Sequence, residues 1–89
     1  MIEINVMIKN KLGLHARAAV KLVNLANRFE SSVKIQKDGN EIDGKSILGI
    51  LTLAATQGSE ITLKVSGRDE AKAVEALVGL IDDRFQEDE

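Results

Sequence analysis

The chain lacks cysteine, proline, tryptophan and tyrosine altogether. Without cysteine it has neither a disulfide framework nor a thiolate metal site, so packing alone has to stabilise the fold, as suits a reducing cytoplasm. Two phenylalanines offer almost nothing for stacking bases, and a formal net charge of −2 provides no positive field, so nucleic acid is not an expected partner. No nearly apolar run reaches half of the roughly 20 residues that cross a bilayer. We therefore expect a soluble, cytoplasmic protein that does not enter membranes.

Length limits the number of domains. A chain of 89 residues is long enough for one hydrophobic core but too short to divide. We expect one domain over residues 1–89, and a monomer, because no stretch resembles a self-association seam.

Strands are predicted where apolar and polar residues alternate, because successive side chains of a strand point to opposite faces. The alternation covers residues 2–8, 33–37 and 40–43 and the later stretch "EITLKVS". Asp38-Gly39 separates the second strand from the third and tolerates the positive φ of a tight hairpin turn.

Helices are predicted where apolar residues recur three and four positions apart. This spacing covers about 16–28, and a short helix of about two turns follows Ser46, whose hydroxyl is placed to cap it. The last helix begins after Asp69, a predicted N-cap, and its apolar stripe extends to Phe85. The closing "EDE" (87–89) is expected to fray.

The predicted order of elements is β-α-β-β-α-β-α. Every strand has one apolar face and both longer helices have one apolar stripe, so the economical arrangement places the helices on one face of a four-stranded, mostly antiparallel sheet. This is a two-layer α+β fold. The short helix differs, because its apolar residues cover more than one side and some are expected to stay exposed.

The single histidine, His15, lies at the predicted start of the first long helix. Unpaired amides and the positive end of the helix dipole favour an anion such as phosphate at this place. A neutral imidazole has a lone pair that can act as a nucleophile, Arg17 can pair with phosphate oxygens, and Gly13 allows a close backbone approach. Together they predict a site that accepts a phosphoryl group on nitrogen.

The same residues also admit a plainer interpretation, in which His15 is a solvated or capping side chain and Arg17 an ordinary surface charge. A metal site is not supported, because one histidine, no cysteine and no suitably spaced carboxylates leave no ligand set. A hydrolytic triad is not supported either, because there is no second histidine and no serine in a nucleophile elbow.

Two separated motifs resemble one known family. The first, Gly13-Leu14-His15-Ala16-Arg17-Ala18-Ala19, is similar to the active-site motif of HPr, the histidine-containing phosphocarrier family of the bacterial phosphoenolpyruvate-dependent phosphotransferase system. The second, Gly44-Lys45-Ser46-Ile47-Leu48-Gly49, resembles the family's regulatory serine region and lies at the matching distance from the histidine. The order of elements agrees with the family's open-faced β-sandwich across essentially the whole chain.

This resemblance implies a stoichiometric phosphocarrier, not a turnover enzyme, with no cofactor. His15 would take phosphate on Nδ1 from phosphorylated enzyme I and pass it to a histidine of a IIA protein or domain, and Arg17 would steady the phosphoryl group. Ser46 would be the target of an HPr kinase/phosphorylase where the organism has one. A phosphate there is expected to alter docking more than folding.

One position departs from the family's usual pattern, and other functions stay open. Ala18 stands where the family usually has proline, which is expected to affect the transfer rate more than the fold. The related nitrogen-branch carrier shares the histidine motif and often a similar acidic tail, whereas Gly44-Lys45-Ser46 favours HPr proper. Two further classes are an acylphosphatase-like hydrolase, in which Arg17 and an asparagine bind phosphate, and a regulatory binding module that does not need His15.

The partner surface should surround His15, because a partner has to reach the ring. The candidates are apolar residues of the first helix and of the short helix: Ala16, Val20, Ile47, Leu48 and Leu51. Val20 lies off the apolar stripe of its helix, whereas core packing is the alternative for the three on the short helix. Lys21, Lys45 and Arg17 could pair with acidic partner groups, although each is as readily an ordinary solvated charge.

Overall fold

One four-stranded sheet forms one layer of the protein, of which a computed structural model describes residues 1–87. The strands are β1 (Ile2–Met7), β2 (Ser32–Lys37), β3 (Asn40–Asp43) and β4 (Glu60–Ser66). They lie in the order β1-β4-β2-β3, and each of the three pairings is antiparallel. The strand that comes last in sequence therefore lies between β1 and β2.

Three helices connect and cover the strands. They are α1 (Ala16–Ala26), α2 (Ile47–Thr52) and α3 (Glu70–Asp82), and a short 3₁₀ turn (Arg84–Gln86) follows. The predicted order of elements is confirmed. α1 ends two residues earlier than predicted, because the Arg28 and Phe29 amides donate to carbonyls three residues back and tighten the final turn. Within residues 1–87, no helix combines the length and the apolar character of a membrane span.

The sheet and the helices share one hydrophobic core. Along β4, Ile61, Leu63 and Val65 are buried, whereas Thr62 and Lys64 on the other face are partly exposed. The helices add the following buried residues: Ala18, Ala19, Leu22, Val23 and Ala26 from α1, and Ala73, Leu77 and Ile81 from α3. One face of the sheet is thus covered and the other open, which confirms the two-layer α+β fold and the open-faced sandwich.

The hairpin between β2 and β3 forms as predicted. Asp38 has a φ of 51° and Gly39 a φ of 83°. Positive φ at both central residues is the type I′ turn, whose twist matches that of two antiparallel strands.

Asp69 lies at the predicted N-cap position of α3, but the prediction that its side chain caps the helix is wrong. Its carboxylate instead accepts hydrogen bonds from the backbone amides of Glu30 and Ser31, each at 3.0 Å, and from the Ser31 hydroxyl. These donors lie between α1 and β2. The side chain therefore joins two loops that are 38 residues apart in sequence.

The predicted extension of the last helix to Phe85 is also wrong. α3 ends at Asp82, and Arg84, Phe85 and Gln86 have φ values of 53°, 54° and 63°, in the left-handed region. The reason is burial: this turn redirects the chain so that the Phe85 side chain reaches the core, where it is fully buried. The prediction of fraying is therefore wrong for Glu87, because its carboxylate contacts Asn10 and His15. The rest of the segment predicted to fray, 88–89, lies outside the described residues.

We expect Asp69→Ala to lower Tm at neutral pH, and the loss to depend on pH. The hydrogen bonds from Ser31 and Glu30 lower the pKa of Asp69 from 3.8 to about 2. A depressed pKa stabilises the fold above the unfolded value of 3.8 and ceases to do so as the pH falls through about 2. The Tm difference between wild type and variant should therefore be largest at neutral pH and shrink over that interval. A difference that stays constant down to pH 2 would contradict this role.

Candidate functional site

His15 directly precedes α1 and is its N-cap residue. Its backbone is extended, with a φ of −74° and a ψ of 177°, and its side chain makes no capping hydrogen bond. The first intrahelical bond of α1 runs from the Ala19 amide to the His15 carbonyl at 2.9 Å. The amides of residues 16–18 therefore lie at an uncapped helix N-terminus, which favours an anion beside the ring.

The imidazole is in contact with the end of the chain. Its Nε2 atom lies 2.5 Å from Oε2 of Glu87. The other carboxylate oxygen, Oε1, accepts a hydrogen bond from Nδ2 of Asn10 at 3.0 Å. Both side chains of this contact are largely shielded, with exposures of 26% for His15 and 16% for Glu87.

Asn10 supports the loop between β1 and α1 from inside. It is fully buried, and its Nδ2 also donates to the Gly13 carbonyl at 2.7 Å. Gly13 has a φ of 68°, and a Cβ there would lie 2.4 Å from the Ala55 carbonyl oxygen. The Leu14 amide donates to that same carbonyl at 2.9 Å. The Gly13 backbone therefore packs closely against the chain after α2, whereas its predicted close approach to a phosphate stays a prediction.

The C-terminal turn is held beside α1. Lys21 donates from Nζ to the Phe85 carbonyl at 2.6 Å. The Phe85 side chain is fully buried, so the turn is attached through both its backbone and its side chain. This attachment brings Glu87 to the ring from a position 72 residues away in sequence.

Glu87 is the titratable group most affected by the site. Desolvation acts to raise the pKa of Glu87, but hydrogen bonds from His15 and Asn10, together with the charges of His15 and Lys21, outweigh it. The pKa of this carboxyl therefore lies below its ordinary value. At neutral pH the side chain is a carboxylate, which can only accept hydrogen bonds.

An open cavity of about 670 Å³ lies in front of the ring. Its cationic wall consists of Arg17 and Lys21, and Leu12, Ala16 and Gln86 line the remainder with His15 and Glu87. Arg17 is exposed, and it has no ion pair with any other residue of 1–87. The predicted pair of His15 and Arg17 thus faces one cavity, and Lys21 joins it.

Ser46 lies apart from this cavity, at the start of α2. Its Oγ accepts a hydrogen bond from the Gly49 amide at 3.0 Å, which confirms the predicted N-cap. Lys45 donates from Nζ to the Phe29 carbonyl at 2.9 Å, so this charge is bound within the protein and not simply solvated. The serine is half-buried and its hydroxyl is part of the helix end.

Apolar side chains are exposed on α1 and α2. Leu48 is 74% exposed, Val20 40%, Ile47 39% and Leu51 37%, and Ala16 is exposed too. Ile50 and Leu53 of the same short segment are buried, so the predicted division of its apolar residues between core and surface is confirmed. α1 and α2 are in contact, which places their exposed residues on adjoining elements.

Two residues of the site, Asn10 and Glu87, were not predicted from the sequence. Asn10 and Glu87 bond to each other, and Glu87 also contacts His15, across most of the length of the chain. Neither residue belongs to a periodic pattern of apolar residues. The only local signal in the sequence is that Asn10 is polar and lies shortly after the alternating residues of the first strand. For the acidic tail, which includes Glu87, the sequence predicts fraying instead.

Comparison with known proteins places this geometry in a family. The family model described as "PTS HPr component phosphorylation site" matches residues 2–83. Phosphocarrier protein HPr of Cupriavidus necator is 49% identical over 89 residues, covering all of both chains. Phosphocarrier protein NPr of Proteus mirabilis is 43% identical over 84 residues, covering 93% of each.

Solved structures agree with the sequence comparison. The crystal structure of HPr-C-His from Thermoanaerobacter tengcongensis superimposes with a TM-score of 0.96 at 43% identity, and the match covers all of both chains. The agreement extends over the sheet, the three helices and the loop that carries His15. The chain therefore belongs to the HPr family of phosphocarrier proteins.

Proposed function

We propose that this phosphocarrier accepts a phosphoryl group on Nδ1 of His15 from phosphorylated enzyme I and passes it to a IIA protein or domain. The observation that carries the proposal is the placement of His15: Nε2 is occupied by Glu87, while the ring opens onto a cavity lined by Arg17 and Lys21. No described hydrogen bond engages Nδ1. The nitrogen with the available lone pair is thus Nδ1.

The charges around the cavity suit a phosphoryl group. The N-terminus of α1 supplies amide donors and the positive end of a dipole, and Arg17 supplies a planar set of donors that matches phosphate oxygens. Lys21 adds a second cation nearby, although its ammonium is bonded to the Phe85 carbonyl. Arg17 has no such bond to any other residue of 1–87, and it is the residue that we expect to steady the phosphoryl group.

The geometry favours a carrier over the hydrolase alternative. An acylphosphatase-like site would need an asparagine to position water near Arg17. The asparagine of this site, Asn10, is buried and its amide donates to Gly13 and Glu87. We therefore expect a retained phosphohistidine, with no cofactor and no turnover of substrate by the carrier itself.

Incubation with phosphoenolpyruvate and an enzyme I, followed by intact mass, should show one acid-labile, alkali-stable phosphate in wild type and none in His15→Ala. Arg17→Ala should accept phosphate roughly ten- to a hundredfold more slowly, because it loses a charge-assisted contact. Arg28→Ala, at an exposed arginine just beyond α1, is the matched control and should transfer normally.

Transfer should be tested with both sugar-branch and nitrogen-branch enzyme I. We propose the sugar branch, on Gly44-Lys45-Ser46, and a monomeric carrier. Absence of phosphate with both donors would reject the carrier function. The regulatory module would be favoured by two results together: wild type accepts no phosphate, and His15→Ala still binds the partner.

The proposed partner surface consists of Ala16 and Val20 on α1 and Ile47, Leu48 and Leu51 on α2. Leu48 is 74% exposed, so it contributes little to the core. The surface lies on two helices that contact each other, and His15 directly precedes one of them, which suits a partner that must bring an acceptor atom to the ring.

Leu48→Asp should weaken binding to enzyme I by at least roughly tenfold, because it places a charge in the apolar centre of the surface. The free energy of unfolding should change by no more than about 0.5 kcal/mol, since the residue is exposed. Met7→Asp, on the open face of the sheet, makes the same kind of change at a side chain that is 53% exposed and should leave binding unaltered. Equal loss of binding in both variants would argue against this surface.

Ser46 is proposed as a regulatory phosphorylation site for an HPr kinase/phosphorylase. A phosphate would add nearly two negative charges at the start of α2, beside the exposed Ile47 and Leu48. The helix end tolerates negative charge, so the expected effect is on docking.

Ser46→Asp should therefore keep α2 and reduce the affinity for partners severalfold, because aspartate is as good an N-cap as serine. Ser46→Ala is the control: it should lose about 1 kcal/mol of stability with the cap but dock normally. Circular dichroism, chemical denaturation and binding to enzyme I measure these effects. Loss of α2 in Ser46→Asp would contradict the proposal.

A further inference from the structure

We propose that Glu87 is a positioning residue for phosphoryl transfer: its carboxylate holds the proton of the His15 ring on Nε2 and so leaves the lone pair on Nδ1. The inference rests on the proposed function, in which Nδ1 is the acceptor. It gives a role to Glu87, which lies beyond residue 83, where the match to the family model ends.

The contact itself identifies the donor. A carboxylate has only lone pairs to offer, so an Nε2 atom 2.5 Å from Oε2 of Glu87 has to carry the hydrogen. A neutral ring carries one such hydrogen, and placing it on Nε2 leaves Nδ1 without one. The low pKa of Glu87 keeps the side chain ionised over the neutral range, which maintains this arrangement.

The carboxylate is fixed before any partner arrives. Asn10 donates to Oε1 of Glu87 and to the Gly13 carbonyl, so the fully buried amide connects the carboxylate to the loop that carries the histidine. The Phe85 side chain and the bond from Lys21 to its carbonyl attach the turn that precedes Glu87. The carboxylate is therefore oriented by its supports, as in carboxylate–histidine pairs that fix a ring for catalysis.

The transfer step balances with this arrangement. The Nδ1 lone pair forms a bond to phosphorus, and the bond from phosphorus to the donor atom breaks, with its electron pair remaining on the donor. No proton has to leave Nδ1, and the one on Nε2 stays in place. The ring gains positive charge as the new bond forms, and the adjacent carboxylate stabilises that charge. The reverse sequence returns the ring to its starting tautomer when an acceptor takes the phosphoryl group.

Imidazole ¹⁵N NMR of the unphosphorylated protein tests the tautomer directly, at a pH where the ring's own titration shows it to be neutral. Glu87→Ala should increase the population with the proton on Nδ1 roughly tenfold, the effect of losing one hydrogen bond to a charged group. Glu75→Ala, an exposed glutamate of α3, is the matched control and should leave the ring signals unchanged. Glu87→Asp should restore part of the wild-type population. An unchanged tautomer in Glu87→Ala would overturn the inference.

Rapid-quench measurement of phosphoryl acceptance from enzyme I provides the second readout. Glu87→Ala should lower the rate at saturating donor roughly tenfold with little change in KM, because the carboxylate no longer stabilises the positive charge that the ring gains during transfer, while Tm stays near that of wild type. An unchanged rate would overturn the inference, and a faster rate would instead make Glu87 an anion that competes with the phosphoryl group. If wild type accepts no phosphate at all, the proposed function fails, whereas a normal wild-type rate with an unaffected variant rejects only the role of Glu87.

Discussion

Burial of one face of the antiparallel sheet is the constraint on which the rest of the structure depends. A protein this small has one core, so every apolar stripe has to reach the same face. α1 reaches it with a row that includes Leu22 and Val23, and this packing fixes the helix along its length. The N-terminus of α1 and the residue before it, His15, are thereby held in place. The ring is only partly exposed, and the backbone that carries it is positioned by the core.

A second burial, that of Phe85, completes the site. α3 ends before the chain reaches this residue, and three successive left-handed residues turn the chain inward. The turn carries Glu87 to the ring, where it lines the same open cavity. The site is thus assembled from the loop after β1, the start of α1 and the end of the chain. Two of these are adjacent in sequence, and the third is brought to them by one buried phenyl group.

The sequence predicted what depends on local periodicity and missed what depends on distant contacts. Alternating residues and helical stripes determined the strands, α1, the type I′ turn at Asp38-Gly39 and the cap at Ser46, because each involves neighbours in the chain. The sequence predicts that Asp69 caps its own helix, but its carboxylate oxygens accept hydrogen bonds from a loop 38 residues away. In the sequence, apolar residues keep a helical spacing as far as Phe85, although α3 ends at Asp82. Only the folded arrangement shows that a glutamate in an acidic tail contacts a histidine 72 residues before it.

The left-handed glycine before His15 divides the loop into two parts with different freedom to vary. At Gly13 any side chain would meet the Ala55 carbonyl, and the backbone there already has a positive φ, so replacement is strained twice over. The neighbouring Leu12 and Ala16 are exposed and line the cavity, so their side chains can change in size and charge without disturbing the core. Substitutions at these two positions would therefore change the lining of the cavity while the path of the loop backbone stays the same. Positions that can vary thus lie close to one that cannot, around the N-terminus of α1.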